Sequence, residues 1–240
     1  MGITTFLAKS LINYQSEDSF AFKLRKKRFE RLKQLIDQYY QKNKRVNIID
    51  IGGTEIYWKI ISRNYLLEKN VHITLVNLPS TNRVFENDEI FTYEIGDACN
   101  LVNYADQSFD IAHSNSVIEH VGAWDNIVKF ANETKRVAKT YYVQTPNYWF
   151  PIEPHFVFPF FQWFPKSLKI KLITLSDLGG IKKANSYAEA KETIEYNSLL
   201  SKKELKKVFP EVKINGENTF YNLLNVQLPL SEEKTSMLLF

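Results

Sequence analysis

The chain has 240 residues, of which 44% are hydrophobic and 24% are charged, and its formal net charge is +4. These ordinary proportions favour one globular domain over residues 1–240. The single cysteine, Cys99, excludes an intramolecular disulfide and fits a reducing compartment. The N-terminus lacks the basic start and long apolar core of a signal peptide, and no run of about 18 apolar residues predicts a membrane span. We therefore expect a cytoplasmic protein.

Residues 23–45 form the most basic segment. Ten Lys or Arg residues outnumber two acidic residues there, which gives a local charge of +8 and leaves −4 for the rest of the chain. Apolar residues at helical spacing predict an amphipathic helix within an N-terminal helical cap over residues 1–45: Leu32, Leu35, Ile36 and Tyr39. The basic face is either simply solvated or makes peripheral contact with an anionic membrane or a phosphate-bearing substrate. No recognised nucleic-acid module is present, so we expect no nucleic-acid partner.

The stretch VNIIDIGGT, residues 46–54, combines an apolar run with an acid and paired glycines. The run predicts a buried strand, and Gly52 and Gly53 predict the tight turn that leaves it. Asp50 lies at the carboxyl end of this strand, where ligands bind in an open α/β sheet. Because a carboxylate attracts a cation, the turn favours S-adenosylmethionine (SAM), which carries an ammonium and a sulfonium, over a pyrophosphate.

Further strands follow, with helical patterns between several of them. We predict strands at 71–77, 108–115 and 140–144, a further strand that ends within 93–98, and a helix around 124–131. This alternation predicts a parallel sheet with helices on both faces. Ser201 with Glu204 three residues later predicts a helix start, and the segments 211–214 and 221–227 predict a closing antiparallel strand pair.

The order of these elements resembles the class I SAM-dependent methyltransferases, and in particular their broad type 11 group. The resemblance runs from Arg45 to Pro146. It is carried by four motifs: Asp50-Ile51-Gly52-Gly53-Thr54, Asn77, Asp97-Ala98 and the strand from Phe109 to Asn115. It implies a Rossmann-like α/β fold with a mostly parallel seven-stranded sheet, a SAM-binding core over residues 46–146, and a C-terminal helix and strands over residues 201–240.

The resemblance also implies roles for the motif residues. The expected contacts with the methionine part of SAM are Asp50, Gly52, Gly53 and Thr54. Asn77 is expected to meet the ribose, and Asp97 and Ala98 to frame the adenine. Ser114 and Asn115 are expected beside the transferred methyl group.

Two departures from the family pattern keep other functions open. The usual third glycine of the first loop is absent, and Asn77 replaces the acid that commonly holds the ribose. A neutral amide forms weaker hydrogen bonds than a charged acid, so a protein that binds SAM without turnover is the alternative to an enzyme. A NAD-dependent oxidoreductase is disfavoured because the chain lacks both GxGxxG and an acid on the second strand.

The segment QTPNYWFPIEPHFVFPFFQWFP, residues 144–165, is rich in aromatic residues and contains five of the eight prolines of the chain. Proline at this density disfavours a helix or a central strand, so we expect an irregular loop after the fifth strand. The resemblance implies that residues 147–200 form an insertion or lid on the acceptor side. The alternative is a surface loop that packs on the core through its aromatic rings.

Three residues are the candidates for catalysis: Glu119, His120 and His155. Each could serve as the general base that takes a proton from a hydroxyl acceptor, with His113 ranked lower, although a structural role is open for every one. Relatives in quinone biosynthesis and small-RNA methylation bind a divalent ion through an E-x-x-E-H motif. Ser116 replaces its first acid here, so we expect no metal. The open alternative is a mixed oxygen and nitrogen site of Glu119, His120, His155 and Glu153, formed if the loop folds back.

The sequence therefore predicts SAM-dependent methyl transfer by direct in-line displacement. The acceptor is expected to be an oxygen or nitrogen of a small molecule, a glycan or a lipid-linked compound. The identity of the acceptor does not follow from the fold.

Overall fold

The computed structural model describes residues 20–79, 86–216 and 223–227. The predictions for residues 1–19, 221–222 and 228–240 therefore lie outside the described residues. The helices are α1 (Phe20–Asn43), α2 (Glu55–Trp58), α3 (Arg63–Glu68), α4 (Trp124–Val137), α5 (Lys166–Leu175), α6 (Tyr187–Tyr196) and α7 (Lys202–Val208). The strands are β1 (Val46–Ile51), β2 (Val71–Asn77), β3 (Phe91–Ile95), β4 (Phe109–Asn115), β5 (Ala138–Pro146), β6 (Ile152–Glu153), β7 (Phe158–Pro159), β8 (Lys213–Gly216) and β9 (Leu223–Gln227).

Within these residues, seven strands form one sheet in the order β3-β2-β1-β4-β5-β9-β8. The pairings from β3 through β5 are parallel, and β9 runs antiparallel to both β5 and β8. The predicted Rossmann-like sheet with a closing antiparallel pair is thus confirmed. The strand order reverses between β1 and β4, and a crevice opens at the carboxyl ends of strands at such a point.

The helix α1 covers one face of the sheet. Its residues at helical spacing are buried against β1 and β2: Leu32, Leu35, Ile36 and Tyr39. None of its described residues lines either of the two cavities of the active-site region, and the helix packs against the sheet. No helix in the described part of the chain, α1 included, is both long and apolar enough to cross a bilayer.

The helices α4 and α7 cover the opposite face. Ile127, Phe130 and Ala131 of α4 are buried in one cluster with Leu205 of α7 and the outer strands. Ser201 starts α7 with the predicted capping box, in which its side chain accepts from the backbone of Glu204 and the Glu204 carboxylate accepts from the backbone of Ser201. The sheet is therefore covered on both faces, as a parallel sheet requires.

The aromatic segment is more regular than predicted. Its two-residue strands β6 and β7 pair as a small antiparallel hairpin. The prolines limit these strands to two residues because proline cannot donate to a ladder. With α5 and α6, the hairpin encloses a separate apolar cluster: Phe156, Phe161, Ile170, Ile173, Leu178, Ala184 and Ala190. The insertion after β5 thus has a small core of its own.

Candidate active site

The turn after β1 is shaped by two glycines for different reasons. Gly52 has a φ of +74°, in the left-handed region, and its backbone N–H donates to the carbonyl of Val76 on β2 at 2.8 Å. A Cβ on Gly52 would lie 2.5 Å from Val117 Cγ2. At Gly53 the constraint is space alone, because a Cβ there would lie 1.8 Å from Asp50 Oδ2. The backbone of the turn therefore lies close against both neighbouring side chains.

The Asp50 side chain does not line the crevice, and the structure corrects the prediction that it meets a cationic ligand. Its carboxylate is fully buried, accepting from His113 Nδ1 at 2.6 Å and from Trp58 Nε1 at 2.8 Å. Asp50 shares its face of the strand with Ile48, which belongs to the apolar cluster of α1, β1 and β2. A buried carboxylate needs such partners, so Asp50 holds β1, β4 and α2 together.

A cavity of about 900 Å³ opens at the carboxyl ends of β1 to β4. Four residues that the sequence assigned to the cofactor line it: Gly52, Asn77, Asp97 and Ala98. The Asn77 amide nitrogen donates to the Gly53 carbonyl at 2.8 Å, so this side chain closes the glycine turn from the β2 side. The Asp97 carboxylate accepts from the backbone of Cys99 at 2.8 Å and is otherwise exposed.

The other predicted cofactor residues are not part of the lining of this cavity. Ser114 is fully buried and its hydroxyl donates to the carbonyl of Ile51 at 2.9 Å, so it ties β4 to β1 and does not lie beside a transferred group. Thr54 is the N-cap of α2. Three further predicted residues lie near the cavity without lining it: Gly53 and Thr54 in the turn after β1, and Asn115 at the end of β4.

Sequence reasoning missed several residues that line this cavity. Ser116 directly follows β4 and has a φ of 58°, a conformation that costs free energy in a non-glycine residue and is common at functional sites. The sequence signal that could have identified Ser116 as a cavity residue is its position directly after the end of a predicted strand. Tyr196, at the end of α6, also lines the cavity, but no local pattern in the sequence indicates that it returns to the sheet.

A second cavity, of about 690 Å³, lies beside the first, under the insertion after β5. Its aromatic lining consists of Trp124, Tyr148, Phe156, Phe161 and Tyr196, and its charged lining of Glu153, Lys169, Glu192, Glu195 and Glu204. Tyr196 lines both cavities, and His120 on the side of the first stacks on the Tyr196 ring with centroids 5.1 Å apart. The two cavities therefore meet around His120 and Tyr196.

Glu119 and His155 come together with His120 beside this junction, although neither of the two lines a cavity. One potential ligand atom from each of them lies within 4.8 Å of the others. The His120 and His155 rings contact edge to face, with centroids 4.8 Å apart. His155 Nδ1 lies 2.7 Å from a carboxylate oxygen of Glu153, and the Thr145 hydroxyl donates to Glu119 Oε2 at 2.9 Å. The aromatic segment thus folds back onto the turn after β4.

Burial and mutual charge alter the proton affinity of this cluster. Burial raises the pKa of Glu119 to about 7. Burial also lowers the pKa of His120 to about 4, and the nearby His155 adds to this effect. For His155, burial acts to lower the pKa, but the Glu153 carboxylate outweighs it and the pKa is raised. His120 is therefore a neutral imidazole near pH 7.

Comparison with known proteins gives a family match for the core. A family model described as a methyltransferase domain (Methyltransf_11) matches residues 49–141. An uncharacterised protein of Mycobacterium tuberculosis strain H37Rv is 36% identical over 69 residues, which are 29% of this chain and 23% of that protein. The equivalent protein of strain CDC 1551 gives the same values. The match thus spans about a quarter of the length of these curated relatives.

Solved structures with a similar arrangement are distant in sequence. A SAM-dependent methyltransferase from Methanosarcina mazei is 14% identical, with a TM-score of 0.47 over 78% of this chain and 94% of that chain. A protein from Pyrococcus horikoshii is 14% identical, with a TM-score of 0.49 over 94% of this chain and 99% of that chain. The assignment of the core therefore rests on the family match over residues 49–141.

The Gly53 position gives a direct test of the packing in the turn. We expect Gly53→Ala to lower the free energy of unfolding by about 1–3 kcal/mol, because the added methyl group overlaps the Asp50 carboxylate. Gly180→Ala is the matched control, since a Cβ at Gly180 has no neighbour within 4 Å. Urea denaturation of both variants measures the difference. Equal stability of the two variants would contradict the tight contact.

Proposed function

Residues 49–141 match a methyltransferase-domain family, and from this premise we propose that the chain is a class I SAM-dependent methyltransferase that transfers the methyl group of SAM to an acceptor held under the insertion. The observation that carries the proposal is the meeting of two cavities around His120 and Tyr196. Methyl transfer by direct displacement requires the acceptor atom, the methyl carbon and the sulfur to lie in line. Two adjoining cavities supply such an arrangement, and positioning can contribute about 7–11 kcal/mol in favourable cases.

The first cavity fits the cofactor through its polar groups. Asn77 uses its amide nitrogen on the Gly53 carbonyl, which leaves its amide oxygen to accept from a ribose hydroxyl. Asp97 keeps acceptor capacity for the exocyclic amine of adenine. Gly52, which has no side chain, lets the ligand approach the backbone closely. SAM supplies an already activated methyl group when bound, so the chain has no electrophile to create.

The second cavity supports an acceptor that is partly apolar. Five aromatic rings line it, and such a surface suits a ring or an alkyl chain. The carboxylates of Glu153, Glu192 and Glu195 add hydrogen-bond acceptors for hydroxyl or amine groups. We therefore favour a small molecule, or a glycan or lipid-linked compound, methylated on oxygen or nitrogen.

The cluster of Glu119, His120 and His155 supports handling of the acceptor proton. A hydroxyl acceptor must lose its proton as the new bond forms, and a positioned base contributes about 10²–10⁴-fold in rate. His120 of this cluster lines the first cavity and stacks on Tyr196, which lines both cavities, so the cluster adjoins the place where an acceptor atom would approach the methyl group. A nitrogen acceptor that is already neutral requires no such step.

The cofactor assignment predicts weaker SAM binding on truncation of Asn77. We expect Asn77→Ala to weaken SAM binding about tenfold, because hydrogen bonds to the ribose and to the Gly53 carbonyl are lost. Asn47→Ala is the matched control, since Asn47 lies at the amino end of β1 and bonds Arg45. Calorimetry with SAM and with S-adenosylhomocysteine gives the dissociation constants. Unchanged affinity in Asn77→Ala would remove the residue from the site.

The acceptor assignment predicts separate effects for two adjacent aromatic residues. Tyr148 lines the second cavity, whereas Trp149 is 64% exposed and does not. In a labelled-methyl assay on fractionated cell extract, we expect Tyr148→Ala to lower transfer at least tenfold with SAM affinity unchanged, and Trp149→Ala to leave transfer intact. SAM binding without any labelled product in the wild-type protein would favour the binding-only alternative.

We also propose that the basic face of α1 contacts anionic membranes. Lys26 and Lys27 are exposed on α1, whereas Arg28 is buried, so the helix keeps a basic outer face. We expect sedimentation with phosphatidylserine vesicles at low salt, and loss of binding in the double variant Lys26→Glu, Lys27→Glu. The double variant Lys182→Glu, Lys183→Glu makes the same charge change on the exposed residues after α5 and should still bind. Wild-type protein that stays in the supernatant would end the proposal.

A further inference from the structure

The cluster of Glu119, His120 and His155 contains a polar atom that the fold leaves without a partner among the described residues. Glu119 is fully buried, and while its Oε2 accepts from Thr145, its Oε1 has no hydrogen-bond partner among the described residues. A buried carboxylate oxygen without a partner costs free energy, so its retention calls for a ligand. His120 and His155 each place a potential ligand atom within 4.8 Å of a carboxylate oxygen of Glu119, so a cation between the three residues could be shared by all of them.

The hydrogen bonds of the two histidines determine which ring nitrogen is available. The Tyr196 carbonyl lies 3.3 Å from His120 Nδ1, and a carbonyl can only accept, so Nδ1 carries the proton. The Glu153 carboxylate fixes the proton of His155 on Nδ1 in the same way, at 2.7 Å. In the neutral form of each ring, Nε2 is then the nitrogen without a proton. Metal-binding histidines have this arrangement, in which one nitrogen binds the ion and the other donates to a carboxylate or carbonyl.

We propose that Glu119, His120 and His155 bind one divalent transition-metal ion of the zinc class. Two imidazoles and one carboxylate form the ligand set of open zinc sites, with a further position for water or substrate, whereas Mg²⁺ and Ca²⁺ prefer oxygen ligands. The buried carboxylates of Glu119 and Glu153 together balance the charge of a divalent ion. One potential ligand atom from each residue lies within 4.8 Å of the others, and a bound ion draws them closer.

The proposed ligand set differs from the E-x-x-E-H motif in its third ligand. Ser116 occupies the position of the first acid in the E-x-x-E-H motif, and the hydroxyl faces the first cavity. The third ligand is instead His155, which arrives from the hairpin of the insertion, and Glu153 of the same hairpin orients it. The ion would therefore link the insertion to the turn after β4. Glu119, His120 and His155 would hold the ion, and an ion of this class would supply Lewis acidity that lowers the pKa of a hydroxyl bound to it.

The test uses tag-free protein stripped of metal with a chelator and titrated with Co²⁺, which gives visible absorption when bound by nitrogen and oxygen ligands. We expect one Co²⁺ per chain, displacement by Zn²⁺ but not by Mg²⁺, and a rise in the melting temperature on metal addition. We expect His155→Ala and Glu119→Gln to weaken Co²⁺ binding at least a hundredfold. Glu119→Gln keeps an oxygen for the Thr145 hydrogen bond and is the variant expected to fold normally.

His72→Ala is the matched control, because His72 lies on β2 and pairs with Thr92, remote from the cluster. It should bind Co²⁺ like the wild-type protein. Absence of Co²⁺ binding by the wild-type protein, or binding that survives both variants, would overturn the proposal. Binding is measured without SAM or acceptor, so a failed methyl-transfer assay and a failed metal titration are separate results.

Discussion

The arrangement of the site depends on one buried carboxylate. Asp50 joins His113 on β4 and Trp58 on α2, so it fixes the neighbouring strand and the helix that follows the turn. Because its Oδ2 occupies the space where a side chain at position 53 would lie, the second glycine is required by this carboxylate rather than by a ligand. The acid and the glycine are therefore one structural unit, and the turn presents backbone, not charge, to the crevice.

The order of the elements and the type of sheet could be predicted because their signals are local. Apolar runs, glycine turns and helical spacing located β1, β2, β4, β5 and α4 to within a few residues. The direction in which a strand residue points depends on which helix covers each face, and that is a property of the whole fold. For this reason Asp50 was expected in the crevice but is buried against His113 and Trp58, and Ser114 was expected beside the ligand but bonds Ile51.

The residues around the second cavity could not be found from the sequence for a related reason. His155 lies 35 positions after His120, and Tyr196 lies a further 41 positions along the chain. No periodicity connects these positions, since the contact arises from the insertion folding around its own apolar cluster. His120 and His155 were chosen as residue types with suitable chemistry. Their contact with each other and with Tyr196 depends on packing between segments distant in sequence.

The insertion begins and ends at the same place, and this couples its folding to the site. At its start, the backbone of Tyr148 donates to the carbonyl of Leu200 at its end. Near that end, the backbone of Ser198 donates to the carbonyl of Glu119 at 3.1 Å, and the Tyr196 carbonyl accepts from His120. Between these points, the hairpin brings Glu153 and His155 to the junction. The acceptor side is thus built by closing a long loop onto the turn after β4, so a residue anywhere in the small core of the insertion can change the geometry around Glu119 without touching a ligand.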